Sequence, residues 1–257
     1  MEGSESIEME DNAYIGSAIA GALYIAAGIR LAQLRARTGQ LPELLLSVCF
    51  LLWGISYLLF AVPSAFADES LIDPFFFPAN VISQAGSLAC AAFTWKVFRA
   101  HEKWAPVCFA GIALCLVAGA GGSFWEQGWQ SSSPLTSTWY WLEWTGATLP
   151  FLWIAVEATI QFRKAGQRQQ LGLCDAMVRN RFLIWAIIGV FWVTLQLIFI
   201  IQDIAWAQSH QWPAYSDTLV GILELTSIGM VWLVFFPPAV YRRWIDSGSP
   251  NEIAAEG

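Results

Sequence analysis

Long apolar stretches alternate with short polar loops along the whole chain, and they define seven segments. Each is about as long as the 20 residues that an α-helix needs to cross the hydrocarbon core of a bilayer. The pattern therefore predicts an all-α membrane protein built as a seven-transmembrane helix bundle. The predicted helices cover residues 12–33, 42–65, 75–99, 104–124, 139–163, 182–207 and 216–241.

Two polar tails flank this predicted transmembrane domain of residues 12–244. Residues 1–11 are acidic and lack the basic start of a signal peptide, so we expect them to form an extracytoplasmic tail. Residues 245–257 are expected to form a short cytoplasmic tail.

The basic residues predict the orientation of the bundle. All 13 lysines and arginines lie at or beyond the same ends of the predicted helices. Because cytoplasmic loops carry the excess of basic residues, we predict an outer N-terminus and a cytoplasmic C-terminus. The absence of any N-x-S/T sequon fits a multi-pass protein of the bacterial inner membrane, which is a plasma membrane.

Composition narrows the functional classes. Hydrophobic residues make up 56% of the chain and charged residues 13%, whereas a soluble domain carries about 25% charged residues. The five cysteines lack C-x-x-C spacing, so we expect no metal site. None of them falls in a predicted outer loop, so we expect no structural disulfide. Gly111, Cys115 and Gly119 of the fourth helix have the small-xxx-small spacing that permits close helix packing.

The fifth predicted helix carries two acids within an apolar segment. At helical spacing, Glu143 and Glu157 share one stripe with Trp139, Pro150 and Trp153. A carboxylate inside a membrane is costly and usually faces the bundle interior or water. We therefore predict that this helix lines the interior site of the protein.

Several polar residues fall at one depth, in the outer half of the predicted bundle. One interpretation is an outward-facing polar pocket with tryptophan walls, which suits a cationic or amphipathic small molecule through charge pairing and cation–π contact. The other is hydrogen bonding between helices together with an interfacial tryptophan belt. The candidate ligand-binding residues are Asn80, Gln84, Glu143, Trp144, Gln196 and Glu224.

Glu157 lies deeper, toward the cytoplasmic side of the fifth helix. It is a candidate for the inner end of a proton or ion path whose outer end is Glu143 or Glu224. The alternative is a carboxylate that reaches the inner surface or pairs with an arginine, and its position near Arg163 favours this alternative.

Residues 223–228 of the seventh helix, LELTSI, carry a resemblance to the microbial opsins. The opsin run is apolar, acid, apolar, hydroxyl, small, lysine. By this resemblance Glu224 stands where opsins keep an acid beside the chromophore, and Ile228 stands where they keep the retinal lysine. The chain departs from the pattern because its three lysines all lie at predicted cytoplasmic ends. We therefore expect no covalent retinal and no other cofactor.

Three functions remain as hypotheses. The first is a non-enzymatic receptor or sensor that binds a small molecule and acts on a cytoplasmic or membrane protein partner. The second is a small-solute or proton-coupled transporter that uses Glu143, Glu157 and Glu224. An intramembrane enzyme is the weakest, because the sequence has no G-x-S-x-G and no metal motif, so no catalytic residue is assigned. The expected partners also include the lipid bilayer but no nucleic acid.

Overall fold

A computed structural model describes residues 2–66, 69–128, 135–209 and 215–247. Within these ranges the chain forms eight α-helices and a single 3₁₀ turn at Glu69–Leu71, and no strand. The helices are α1 (Glu2–Thr38), α2 (Leu41–Ala65), α3 (Ile72–Phe98), α4 (Ala105–Gln127), α5 (Thr138–Gln170), α6 (Ala176–Ser209), α7 (Ser216–Phe235) and α8 (Ala239–Ser247).

Six of the helices in the described ranges are long and apolar enough to cross a membrane. They are α1, α2, α3, α4, α6 and α7, and they confirm the prediction of an all-α, multi-pass membrane protein. The remaining long helix, α5, has 33 residues but is less apolar, because Glu143, Glu157 and a charged final section interrupt it. It nevertheless packs inside the bundle, against α3, α4 and α6.

From α1 to α7, each helix packs against the next one, and α1 also contacts α7, which closes the bundle. This up-and-down arrangement brings the basic ends of the helices together. The guanidinium of Arg30 on α1 lies 5.9 Å from the ring of Phe236, just after α7. Arg179 near the start of α6 lies 4.8 Å from the ring of Phe162 near the end of α5.

Aromatic side chains fill the centre of the bundle. Trp53 of α2 lies 5.0 Å from Trp192 of α6 and 5.6 Å from Phe151 of α5, measured between ring centroids. Tyr24 of α1 and Phe50 of α2 stack 5.9 Å apart beside them. Each aromatic side chain buries a large apolar area. These five rings therefore hold α1, α2, α5 and α6 around a common core.

Several predicted helix ends were wrong. α1 begins at Glu2, so residues 2–11 belong to a helix and not to a separate tail. Acidic residues favour the first turns of a helix, and this stretch contains no proline. α5 continues to Gln170, and α6 begins at Ala176, ahead of its predicted start. The apolar pattern marks only the part of a helix that needs an apolar environment, whereas backbone hydrogen bonds continue into polar residues.

The predicted seventh helix is two helices in the structure. α7 ends at Phe235, and the chain resumes as α8 after Pro237 and Pro238. Proline has no backbone N–H and its ring clashes with the preceding helical turn, so a Pro-Pro pair ends the helix. α8 also takes residues 245–247 from the predicted cytoplasmic tail, whose remaining residues, 248–257, lie outside the described ranges.

Candidate functional site

Glu143 lies where α3, α4 and α5 meet, and three neutral side chains donate hydrogen bonds to it. The amides of Asn80 and Gln84 on α3 donate to its Oε1 atom. The hydroxyl of Ser123 on α4 donates to its Oε2 atom over 3.2 Å. Among the described residues, no lysine or arginine forms an ion pair with this carboxylate.

A glycine on α4 allows this contact. A Cβ atom built on Gly119 would lie 2.6 Å from both the Cα and the backbone nitrogen of Glu143. One turn along, a Cβ atom on Gly122 would overlap the indole of Trp139, at 2.0 Å from Cδ2. Both distances are far shorter than a van der Waals contact. The backbone of α4 can therefore approach α5 closely only because these positions lack side chains, and this approach brings Ser123 within reach of Glu143.

Glu224 occupies a second site, on α7. It is 3% exposed and accepts a hydrogen bond from the hydroxyl of Tyr57 on α2. The ring of Tyr57 lies 5.6 Å from that of Tyr24, which belongs to the aromatic core. Ile228, one turn after Glu224, is buried in the same core. The described residues provide no ion pair for this carboxylate either.

Trp144 and Gln196 meet at a third place, between α5 and α6. The indole N–H of Trp144 donates to the backbone oxygen of Gln196 over 3.4 Å. The contact therefore uses the main chain of Gln196 and not its amide. The six predicted ligand-binding residues thus divide into three separate groups, of which only the Glu143 group joins more than two of them.

The open cleft that the structure shows is elsewhere. It has a volume of about 470 Å³ and lies between α6 and α7, with a largely apolar lining. None of the predicted ligand-binding residues lines it. Its walls are Ile198, Ile201, Tyr215, Ser216, Thr218, Leu219 and Ile222. The polar groups at Glu143 and Glu224 are instead closed over by their own hydrogen-bond partners.

Glu157 lies toward the basic end of α5, in a different environment. It is 2% exposed, and its Oε1 atom accepts a hydrogen bond from Nε of Arg99 at 2.8 Å. This bond raises the pKa of the Arg99 guanidinium above its ordinary value. Arg99 also lies 3.8 Å from Glu102 and 5.6 Å from the ring of Trp104. An arginine partner was one of the two interpretations of Glu157.

Three partners of the carboxylates carried no site prediction: Tyr57 for Glu224, Ser123 for Glu143 and Arg99 for Glu157. A signal existed for Ser123, because it lies one turn after Gly119 on the predicted small-residue face. Tyr57 and Arg99 gave no such signal, because each meets its carboxylate only through the packing of distant helices.

Histidine, cysteine, aspartate and glutamate are the side chains that could bind a metal ion. Among the described residues, no group of three or more of these side chains could hold one. Cys49 and Cys90 are buried in the core, and all five cysteines are free thiols.

No family model matches the chain, and no curated protein and no solved structure matches it detectably.

Proposed function

We propose that this chain is a receptor or sensor of the plasma membrane that binds a small cationic or amphipathic molecule through Glu224. Glu224 carries the proposal because it is a buried carboxylate that has a hydroxyl partner, Tyr57, and no ion pair among the described residues. An ionisable group within a membrane helix is costly to bury, so it is a functional candidate by default.

The surroundings of Glu224 suit a cation. Tyr24 and Tyr57 lie beside it, and the face of an aromatic ring attracts a positive charge. The core behind them contains the indole of Trp192. A ligand at Glu224 would displace Tyr57 from the ring of Tyr24, a contact that now joins α2 to α1. Binding would therefore change the helix packing, as a sensor requires.

A thermal-shift screen of small amines and quaternary ammonium compounds on purified protein tests this role. We expect Glu224→Gln to keep the fold, since glutamine is nearly isosteric. Loss of a charge-assisted bond should weaken the binding of the stabilising compounds by at least about tenfold. Thr226→Val, on the exposed side of the same helix, is the matched control and should leave affinity unchanged. If the compounds stabilise Glu224→Gln and wild type equally, Glu224 has only a structural role.

The orientation forms part of the same proposal, with α5 as a seventh span and the N-terminus outside. On a cysteine-free background, we expect Ser70→Cys, between α2 and α3, to react with an impermeant maleimide added outside intact cells. Arg168→Cys, near the end of α5, should react only after the cells are permeabilised. The opposite pattern of labelling would exclude this topology.

A proton-coupled transporter is the second candidate, and Glu143 favours it. Its carboxylate is held by neutral donors from α3 and α4, so it can take and release a proton without breaking an ion pair. Glu224 would serve as a second proton site, and Glu157, paired with Arg99, would lie at the inner end of the path. Proteoliposomes with an internal pH dye distinguish the two candidates, because only a transporter moves protons, and Glu143→Gln should abolish that movement.

A further inference from the structure

α8 has one apolar side and one basic side. At 100° per residue, Val240, Tyr241, Trp244 and Ile245 fall on one half of this nine-residue helix. Arg242 and Arg243 fall on the other half, together with Asp246, so this half carries a net charge of +1. The helix follows the Pro237-Pro238 pair, so it leaves the axis of α7 at the basic end of the bundle.

Part of the apolar side attaches α8 to the bundle. The hydroxyl of Tyr241 accepts a hydrogen bond from the amide of Asn180, near the start of α6. The ring of Tyr241 packs against the hydrophobic core, and Ile245 is half-buried. The helix is therefore held at a defined height, beside the first turns of α6.

The rest of the apolar side is largely exposed. Val240 is 71% exposed and Trp244 is 68% exposed, although both lie on the same side as the docked tyrosine. The neighbouring surface of α6 is also apolar, with Leu183 and Val190 exposed. In a protein with several membrane-spanning helices, such a surface is the one that faces lipid.

We propose that α8 is an interfacial helix that binds the anionic phospholipids of the leaflet at the basic end of the bundle. Val240 and Trp244 insert at the boundary between headgroups and acyl chains, and Arg242 and Arg243 contact the phosphates. Tryptophan favours this depth, and a basic polar side with an apolar side is the pattern of helices that lie in the membrane plane.

A bilayer fits this surface better than a protein partner does. Two exposed apolar side chains fall far short of the area of about 1,200 Å² that a specific protein interface buries. A bilayer requires no such area from α8 alone, because the spanning helices already place it at the membrane surface. Basic residues near an anionic leaflet are attracted to it, and α8 carries two arginines against one acid, Asp246, which leaves a net charge of +1.

Environment-sensitive fluorophores can test the depth of α8. On a cysteine-free background, Val240→Cys and Trp244→Cys carry a nitrobenzoxadiazole probe, and Arg242→Cys and Arg243→Cys are the matched controls. The proteins are placed in nanodiscs of phosphatidylcholine with or without phosphatidylglycerol. We expect probes at 240 and 244 to show blue-shifted emission and protection from iodide, and those at 242 and 243 to remain accessible.

The role of charge is tested by adding Arg242→Gln and Arg243→Gln to the variant labelled at 244. We expect phosphatidylglycerol to increase the protection of that probe, and the two substitutions to remove the increase. Equal protection in both lipid mixtures overturns the anionic preference. Two outcomes overturn the proposal itself. One is a probe at 244 that is as accessible as the probes at 242 and 243. The other is protection that depends on protein concentration in detergent, because this would indicate a second copy of the chain.

Discussion

Arg99→Ala is expected to lower the free energy of unfolding by about 3–5 kcal/mol, because it leaves the carboxylate of Glu157 buried without its partner. Glu157 is 2% exposed, and its other oxygen, Oε2, has no hydrogen-bond partner to compensate for the loss. Unfolding of the purified protein in mixed micelles, followed by circular dichroism, measures the change.

Two variants separate the loss of the pair from a general loss of charge. Arg163→Ala removes an exposed arginine at the same end of the bundle and should change stability little. The double substitution of Arg99→Leu with Glu157→Leu removes both charges and should recover most of the stability, because no unpaired ion remains. If Arg99→Ala costs no more than Arg163→Ala, the ion pair does not hold α3 to α5.

Gly119→Ala is expected to destabilise the bundle by about 1–3 kcal/mol, the usual cost of forcing an extra methyl group into a packed interface. The new Cβ would lie 2.6 Å from backbone atoms of Glu143, and backbone cannot rotate away as a side chain can. α4 and α5 must therefore separate, and Ser123 should lose its hydrogen bond to Glu143.

Gly121→Ala provides the control on the same helix, because a Cβ atom there meets nothing within 4 Å. Alanine is the better helix former by about 1 kcal/mol, so this variant should be as stable as wild type or slightly more stable. Thermal unfolding of the two variants under identical detergent conditions makes the comparison. Equal melting temperatures would mean that α4 and α5 are not as close as the structure places them.

Hydropathy along the chain was sufficient to predict the helices, because an apolar run of sufficient length needs no tertiary partner to favour a helix in a membrane. It was not sufficient to locate their ends. α5 continues to Gln170 and α1 begins at Glu2, through residues that no apolar pattern marks. The end of α7 could have been predicted from Pro237 and Pro238, because a proline has no backbone N–H and so interrupts the helical hydrogen bonds at its own position.

The depth of the polar residues was also readable from the sequence, because a helix rises by a constant amount per residue. Asn80, Gln84 and Glu143 were predicted at one level, and they meet. Glu224 was predicted at the same level, yet its partner is Tyr57. Depth leaves the rotation of each helix about its axis undetermined, and that rotation decides which side chains face each other.

Only the tertiary structure could therefore assign partners to the carboxylates. Arg99, which directly follows α3, and Glu157 of α5 are 58 positions apart in the chain. Their contact depends on the packing of α3 against α5. No local sequence pattern predicts this packing, because the two helices are separated in the chain by α4. The sequence by itself determined that acids lie within long, largely apolar helices. The packing of the helices decided that two of them have only neutral partners whereas the third has an arginine.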